Sequence, residues 1–339
     1  MILRMKKNVP KSDPERSDED SYFERLRRRK NRASLVSLLV LLLVVATLYY
    51  EARIGEMLAD ESVSGASPSV AAAAETPTPA VIDDSGLLVS FLDVGQGDCI
   101  LLESPSGKTM LVDAGPNGMF DTIDAYLKQE GVVGLDVVVA SHLHEDHIGS
   151  MPEIVDTYPI GTFYYPPFDS ESGEYNELLD ALQENDVAVS SPYASATSLI
   201  PWDDAVEVRI LAPYEVVYDD FNDTSYMLNV TYGDTSVLLT GDAETVSEKL
   251  ALKALPNHYF QADVLKVGHH GSSSSTSEKF LEAVNPSVAV ISVGADNQYG
   301  LPDEEVLDRL TAQGIRVLRT DEDGTIRILL DGTDVRVLE

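Results

Sequence analysis

The chain has 339 residues, a formal charge of −33 and a single cysteine, Cys99. The length excludes a short peptide module and allows one large domain or two ordinary ones, and the lone cysteine excludes an intrachain disulfide framework. The acidity counts against broad binding to a polyanion, because phosphate groups are repelled except where bound cations reverse the local charge.

The first 85 residues divide into three segments of different composition. Residues 1–32 carry eleven Lys or Arg against six Asp or Glu, a net of +5, whereas the remaining 307 residues carry 13 against 51, a net of −38. Residues 33–50 are eighteen uncharged residues rich in Leu and Val, close to the ~20 that span a bilayer as a helix. Residues 51–85 are largely Ala, Ser, Pro, Glu and Thr, which is typical of a flexible linker.

Residues 33–50 are therefore predicted to be a single transmembrane anchor. The basic cluster at 25–32 keeps the N-terminus in the cytoplasm by the positive-inside rule, so the chain after Tyr50 is expected on the extracytoplasmic side. A cleaved signal peptide is the alternative, although residues 49–53 are a poor small-residue cleavage site. A buried core helix is a further alternative that the arginine cluster disfavours.

From Gly86 onward, short apolar runs typical of strands alternate with helical patterns. The predicted strands are 87–94, 99–103, 109–112, 135–140, 206–211, 227–232 and 236–239, and the predicted helices are 122–129, 175–183, 245–254, 277–284 and 304–312. Tight turns join the first strands and strand–helix alternation follows, so mixed sheets are expected. Residues 86–339 hold enough helices to cover two sheets, which favours a four-layer α/β arrangement.

Three histidines and a carboxylate cluster directly after the predicted strand 135–140. His142, His144, Asp146 and His147 fall within six positions, and the chain has only six histidines. Neutral imidazole and carboxylate suit zinc, manganese or iron, and a strand that ends in a tight, glycine-ended loop directs such groups toward one point. The pattern predicts a metal site; a polar loop that happens to be rich in histidine is the alternative.

Two more predicted strands end in glycine and a potential ligand. Asp242 follows the strand that ends at Leu239, and His269 and His270 follow the apolar run that ends at Val267. Asp242 has two oxygens on a short stem, so it is the natural bridge between two ions about 3.5 to 4 Å apart. Coordination positions left open for water and substrate indicate catalysis. A turn carboxylate and a structural histidine pair are the alternatives.

Five motifs, taken in order, resemble the metallo-β-lactamase superfamily and, more narrowly, its ComEC-like extracytoplasmic hydrolase domains. They are Phe91 to Asp98, Leu111 to Gly115, His142 to His147, Leu238 to Glu244 and Val267 to Ser272. The resemblance runs from about Val89 to Leu330. It implies a four-layer αββα sandwich (the metallo-β-lactamase fold) with a dinuclear site at one edge, here preceded by a single N-terminal transmembrane helix.

The resemblance also implies two divalent metal ions, with zinc or manganese expected. His142 and His144 would hold one ion, and Asp146 and His147 the other. Asp242 would bridge the two, so Asp146 and Asp242 are the predicted catalytic carboxylates.

The remaining roles are assigned to five further positions. His270 would complete the ligand set, with His269 as the less favoured choice. Asp113 would orient a ligand histidine from behind. Ser272 and Ser275 could donate hydrogen bonds to a substrate oxygen; a solvated serine linker is the alternative.

This sequence departs from the superfamily pattern in two places. No histidine lies between His147 and Asp242, and Leu301 stands where ComEC-like proteins often have histidine. The predicted function is a membrane-anchored, metal-dependent phosphodiesterase or nuclease that uses a metal-bridged hydroxide on DNA or a cell-surface phosphodiester. A β-lactam or lactone hydrolase, and a surface binding or scaffolding protein with a degenerate metal site, are the alternatives. No protein partner is inferred.

Overall fold

Two sheets form the centre of the fold. A computed structural model describes residues 86–338. Its strands in chain order are β1 (Leu87–Phe91), β2 (Ile100–Glu103), β3 (Thr109–Val112), β4 (Leu135–Val139), β5 (Ile160–Tyr164), β6 (Val189–Ser190), β7 (Val206–Ala212), β8 (Met227–Tyr232), β9 (Thr235–Leu239), β10 (Val264–Lys266), β11 (Val288–Ile291), β12 (Arg316–Arg319), β13 (Ile326–Leu330) and β14 (Val335–Leu338). The first sheet has the order β14-β13-β1-β2-β3-β4-β5-β6, and the second β12-β11-β10-β9-β8-β7.

Helices and short 3-10 turns connect these strands. The helices are α1 (Phe120–Gln129), α2 (Glu145–Ile148), α3 (Met151–Thr157), α4 (Gly173–Glu184), α5 (Thr245–Ala254), α6 (Glu278–Val284), α7 (Glu304–Ala312) and α8 (Thr320–Asp323). The 3-10 turns are Asn222–Thr224, Asn257–Tyr259 and Gly268–Gly271. The bounds of α5 and α7 are those predicted from the sequence, and those of α1, α4 and α6 differ by one or two residues at an end.

The central strands are buried on both faces because each sheet has a sheet on one side and helices on the other. Leu87, Val89 and Phe91 of β1 belong to the core between the sheets, whereas Leu101 and Leu111 belong to a second core under α1, α3 and α4. A third core lies between the second sheet and α5, α6 and α7. The predicted α/β fold with two sheets is confirmed.

Parallel pairing brings the predicted ligands to one edge. β3, β4 and β5 are parallel, as are β9, β10, β11 and β12, while the hairpins β2–β3 and β8–β9 are antiparallel. The carboxyl ends of neighbouring parallel strands meet at the same edge of a sheet, and ligand sites of α/β proteins form there. The loops after β3 and β4 therefore lie side by side, and so do those after β9 and β10.

The predicted cytoplasmic tail (1–32), anchor (33–50) and linker (51–85) lie outside the described residues. Within residues 86–338, the helices are too short or too polar to cross a bilayer.

Candidate metal centre

Four ligand-type side chains meet at this edge. Asp146 and His147 lie on α2 after β4, Asp242 follows β9, and His270 lies in the turn after β10. His147 Nε2 is 3.3 Å from Asp242 Oδ2. His270 Nε2 is 3.3 Å from Asp146 Oδ2 and 3.6 Å from Asp242 Oδ2. One ligand atom of each residue lies within 4.8 Å of those of the other three, so the four donors can converge on a common ion.

Three atoms that face this group have no hydrogen-bond partner. His147 Nε2, His270 Nε2 and Asp242 Oδ1 are buried and unsatisfied, and each of the three residues is at most 1% exposed. An unsatisfied buried polar group costs about 1–3 kcal/mol. Imidazole nitrogen and carboxylate oxygen are donors that zinc and manganese accept. The residues present therefore fit a divalent metal ion.

Asp113 holds the ring of His147. Its Oδ2 is 2.8 Å from His147 Nδ1, and its Oδ1 accepts a hydrogen bond from Ser141 N at 2.6 Å. With the imidazole donating from Nδ1 to this carboxylate, Nε2 is the ring nitrogen that faces the centre. This hydrogen bond between Asp113 and His147 is the contact expected if Asp113 orients a ligand histidine.

The turn after β10 aims His270 in a similar way. Its Nδ1 lies 2.9 Å from Ser292 O, and since a carbonyl only accepts, Nδ1 donates and Nε2 is the nitrogen that faces the centre. His269 and His270 have φ angles of 47° and 53°, in the left-handed region that non-glycine residues rarely adopt. Such strain costs on the order of 1–3 kcal/mol for each residue and clusters at functional sites.

His142 and His144 form a second group beside Asp242. His142 Nε2 is 3.0 Å from His144 Nδ1 and 3.9 Å from Asp242 Oδ2. Burial, reinforced by the neighbouring His147, holds the pKa of His142 well below its usual value, so this imidazole is neutral. The His144 ring contacts that of Phe221, with 5.3 Å between centroids. Oδ2 of Asp242 is therefore within 3.9 Å of a histidine nitrogen from each of the two groups.

His269 also approaches Asp242, with 3.9 Å between Nε2 and Oδ2. However, its Nδ1 is 3.1 Å from Glu244 Oε1 and its Nε2 is 3.4 Å from Asn222 Nδ2. Both of its nitrogens have partners within the protein, whereas His270 Nε2 has none. The geometry favours His270 over His269 as a ligand.

Lys266 and Asp98 form a buried ion pair behind the centre, with 2.9 Å between Nζ and Oδ2 and with exposures of 0% and 1%. Asp98 Oδ1 is 3.7 Å from His270 Nδ1, and Asp98 forms a second group of potential ligand atoms with Asp113 and His147. Sequence analysis assigned neither residue a role. The signals present were a carboxylate directly after two glycines and a lysine inside an apolar strand.

Carboxylates outnumber permanent cations around the centre. The charged groups are Asp98, Asp113, Asp146, Asp242 and Lys266, which sum to −3 when the histidines are neutral. Burial opposes charge on His147, but Asp242 and the neighbouring carboxylates outweigh it and hold the pKa of His147 well above its usual value. The pKa of His270 is raised in the same way. A divalent cation would supply the positive charge that these protons provide and would displace them.

The other predicted positions are placed as follows. Ser272 is partly exposed, with its Oγ 2.9 Å from Ser274 Oγ. Ser275 is fully buried and its hydroxyl donates to Ala243 O at 3.0 Å, so it offers a substrate no surface and serves to hold the loop. Leu301 packs, partly buried, against the core on the outer face of the second sheet.

Asn222 and Ser225 approach the centre from the loop before β8. Ser225 is fully buried and its Oγ accepts a hydrogen bond from Asp242 N at 3.2 Å, while Asn222 contacts His269. Sequence analysis did not single them out, because Asn and Ser between two apolar runs are also the ordinary residues of turns.

Comparison with known proteins agrees with the fold. The sequence profile of the Metallo-beta-lactamase superfamily matches residues 92–295, a stretch that includes all the side chains of the centre. The chain belongs to the metallo-β-lactamase superfamily.

Curated relatives narrow the resemblance to ComEC-like domains of competence proteins. ComE operon protein 3 of Bacillus subtilis (strain 168) is 30% identical over 256 residues, covering 70% of this chain and 32% of its own length. Recombination protein 2 of Haemophilus influenzae is 34% identical, covering 71% and 28%. Competence protein ComA of Neisseria gonorrhoeae is 34% identical, covering 74% and 33%. The chain thus spans about a third of the length of these relatives, and its described part is a metallo-β-lactamase domain related to competence proteins.

Proposed function

We propose that this protein is an extracytoplasmic phosphodiesterase or nuclease that depends on two divalent metal ions, zinc or manganese, and is anchored by residues 33–50 with its N-terminus in the cytoplasm. The observation that carries the catalytic part is the meeting of Asp146, His147, Asp242 and His270, three of which have a buried ligand-type atom without a hydrogen-bond partner. The anchor and its orientation rest on the composition of residues 1–50.

The proposed ligands come from three loops. His142 and His144 would hold one ion, Asp146, His147 and His270 the other, and Asp242 would lie between them. Strand ends provide a rigid base for such donors, which must be placed within about 0.5 Å of the productive geometry.

Hydrolysis of a phosphodiester adds the oxygen of water to phosphorus and breaks the bond to one ester oxygen, which leaves as an alcohol after it takes up a proton. Bound divalent ions would supply positive charge for the phosphoryl oxygens and lower the pKa of water from ~15.7 to about 7. Asp113 and the Ser292 carbonyl accept hydrogen bonds from Nδ1 of His147 and His270, so that Nε2 of each ring would bind the ion once its proton is displaced. Cys99 is no rival nucleophile, since burial raises the pKa of its thiol well above the usual value.

The substrate class is a phosphodiester, either DNA or a phosphodiester of the cell surface. The names of the three relatives refer to the ComE operon, to recombination and to competence, and recombination supports a nucleic acid as the substrate. The acidity of the chain supports a small or cell-surface substrate instead, because it repels a long polyanion.

Metal-dependent turnover tests the proposal. Purified protein with manganese or zinc is expected to hydrolyse bis-p-nitrophenyl phosphate or single-stranded DNA. Asp146→Ala together with His147→Ala is expected to reduce the rate more than about 100-fold, since loss of groups that merely orient ligands already costs 10–100-fold.

Asp204→Ala with His258→Ala is the matched control, because it removes the same two residue types from exposed positions. It is expected to retain full activity. Absence of phosphodiester cleavage with every metal tried would refute the proposal. Nitrocefin turnover in its place would favour a β-lactam hydrolase, and a metal content far below two ions per chain would favour a binding protein.

A further inference from the structure

A groove between α5 and α6 carries three exposed lysines in a chain whose net charge is −33. Its volume is about 700 Å³. It is lined by Lys249, Leu252, Lys253, Asn257, Lys279, Glu282 and Ala283. Most other cations of residues 86–338 are engaged in ion pairs, such as Lys128 with Asp124, whereas no carboxylate in that range lies within 4.0 Å of the three groove lysines.

Two of the groove lysines lie along α5, whose first residue is near the loop that carries His269 and His270. Thr245, Lys249 and Lys253 are four residues apart, so they lie on one face of the helix, with Lys253 about 12 Å along the axis from Thr245. At the near end, Thr245 N and Oγ1 donate to Ser274 O at 3.0 and 2.6 Å. Ser274 Oγ lies 3.3 Å from His269 Nδ1. Lys249, the first lysine of the row, therefore lies about 6 Å along the helix axis from Thr245, which is tied to the loop that carries His269 and His270.

A second cavity of about 400 Å³ joins the groove to this loop. It shares Lys249, Leu252 and Lys279 with the groove and is also lined by Thr245, Ser273, Ser277, Glu278, Glu305 and Arg309. Arg309 is paired with Glu305 at 2.9 Å, so the two lysines provide the unpaired positive charge of this cavity, beside the carboxylate of Glu278. The two cavities form one path from the serine loop to the far end of α5.

The residues that line the two cavities favour binding of a phosphate backbone over binding of bases. No aromatic side chain lines either cavity, so the groove offers no platform on which a base could stack. Lysine ammoniums are mobile point charges that contact phosphates without geometric selectivity. Repeated lysines at helical spacing suit a ligand with repeated phosphates better than a single phosphate ion, and a flexible strand follows a short helical face more readily than a stiff duplex.

We propose that the α5–α6 groove binds the sugar–phosphate backbone of a single strand of nucleic acid while one of its phosphodiesters lies at the metal centre. This inference rests on the proposed phosphodiesterase function. In the groove, Lys249, Lys253 and Lys279 would contact phosphates of the substrate that lie away from the reacting phosphodiester. The acidity of the remaining surface confines the polyanion to this path.

Salt-dependent binding of a fluorescent single-stranded oligonucleotide, followed by anisotropy with a chelator present, tests the groove. Lys253→Gln with Lys279→Gln removes two phosphate contacts and is expected to reduce the slope of log K against log salt by about 1.4, since each contact on a single strand contributes about 0.7. The affinity lost between about 50 and 200 mM salt should then be roughly sevenfold smaller than for the unchanged protein. Lys128→Gln with Arg316→Gln removes the same charge elsewhere and is expected to leave the slope unchanged.

Kinetics separate this inference from the proposed function. The ratio of kcat/KM on the oligonucleotide to kcat/KM on bis-p-nitrophenyl phosphate is expected to fall in the groove variant and to stay constant in the control variant. Equal salt slopes for the two variants, or no oligonucleotide binding by the unchanged protein, would refute the proposal that the groove binds a single strand. So would lysine-dependent binding of poly(glycerol phosphate) without binding of the oligonucleotide. Lysine-dependent binding with no hydrolysis of either substrate would instead refute the phosphodiesterase and leave the groove as a binding site.

Discussion

Lys266 lies at the end of β10 with its ammonium fully buried beside Asp98. Asp98 is tied to the metal loops through its backbone, because its N donates to Asp146 O at 3.2 Å and its O accepts from Gly115 N at 2.8 Å. The pair thus connects a strand of the second sheet to the loops of the first. Burying two charges is costly, and only close pairing and further hydrogen bonds repay that cost.

Lys266→Met is expected to lower the free energy of unfolding by about 3–5 kcal/mol, because it leaves Asp98 buried without its partner. Urea denaturation of the metal-free protein measures this change. Asp98→Asn combined with Lys266→Met should recover part of the loss, since no unpaired charge remains. Lys128→Met, at a side chain that is 67% exposed, is the control and should change stability by no more than about 0.5 kcal/mol. A loss below about 1 kcal/mol for the single variant would argue against a structural role for the pair.

Two buried carboxylates hold helix α5 in place. Asp223 binds its N-terminus, and Glu248 joins it to α6. Asp223 Oδ1 accepts from Glu244 N at 3.1 Å and from Ser247 N at 2.8 Å, which satisfies free amides of the first turn. Glu248 Oε2 accepts from Ser277 N at 3.1 Å and from Ser277 Oγ at 2.5 Å, where α6 begins. These contacts keep α5 and α6, and hence the groove between them, in a fixed relation to Asp242.

Ionisation of Glu248, which lies between α5 and α6, makes the stability of the fold depend on pH. Burial, the largest cause, raises the pKa of Glu248 above the usual value, although hydrogen bonds from Ser277 oppose the rise. The folded state therefore favours the protonated acid. Its contribution to stability is present below the unfolded-state pKa of ~4.3 and is lost as the pH rises through the folded-state value.

Glu248→Gln keeps the hydrogen-bond acceptor and cannot ionise. The variant is therefore expected to gain stability relative to the unchanged protein as the pH rises from about 4 to 8, by about 1.4 kcal/mol for each unit by which the pKa is raised. Thermal unfolding across that range measures the difference. Glu177→Gln, at an exposed position on α4, is the control. Parallel stability curves for Glu248→Gln and the unchanged protein would contradict the assignment.

Metal binding should stabilise the whole domain, because the donors come from loops of both sheets. An ion that binds only the folded state at 100 times its Kd adds about 2.7 kcal/mol. For a domain of this size the melting temperature should rise by about 5–10 °C. Differential scanning fluorimetry with and without manganese or zinc measures the rise. Asp242→Ala should abolish it, and Asp204→Ala, at an exposed position, should not. The same shift in both variants would place the ion elsewhere.

Local patterns predicted the elements that carry strong periodicity or turn signals. The hairpin strands β3 and β8 and the helices α5 and α7 have the predicted bounds. Strand β1 ends at Phe91 rather than at the predicted residue 94. The short helices α2 and α3 were not predicted, because Gly149 and Pro152 interrupt the helical pattern there. The edge strand β14, only half buried, has a weak pattern that its neighbour in the sheet stabilises.

The sequence by itself determined the α/β class, the metal-ligand residue types and their positions at strand ends, because hydrophobic period, glycine turns and ligand spacing are properties of short segments. Only the tertiary structure decided that His270 rather than His269 presents an unpartnered nitrogen, that Ser275 is buried, that Lys266 pairs with Asp98, and that three lysines share one groove. Each of these depends on contacts between segments distant in the chain. Strand order and the packing of one sheet on the other set those contacts, and no local pattern encodes them.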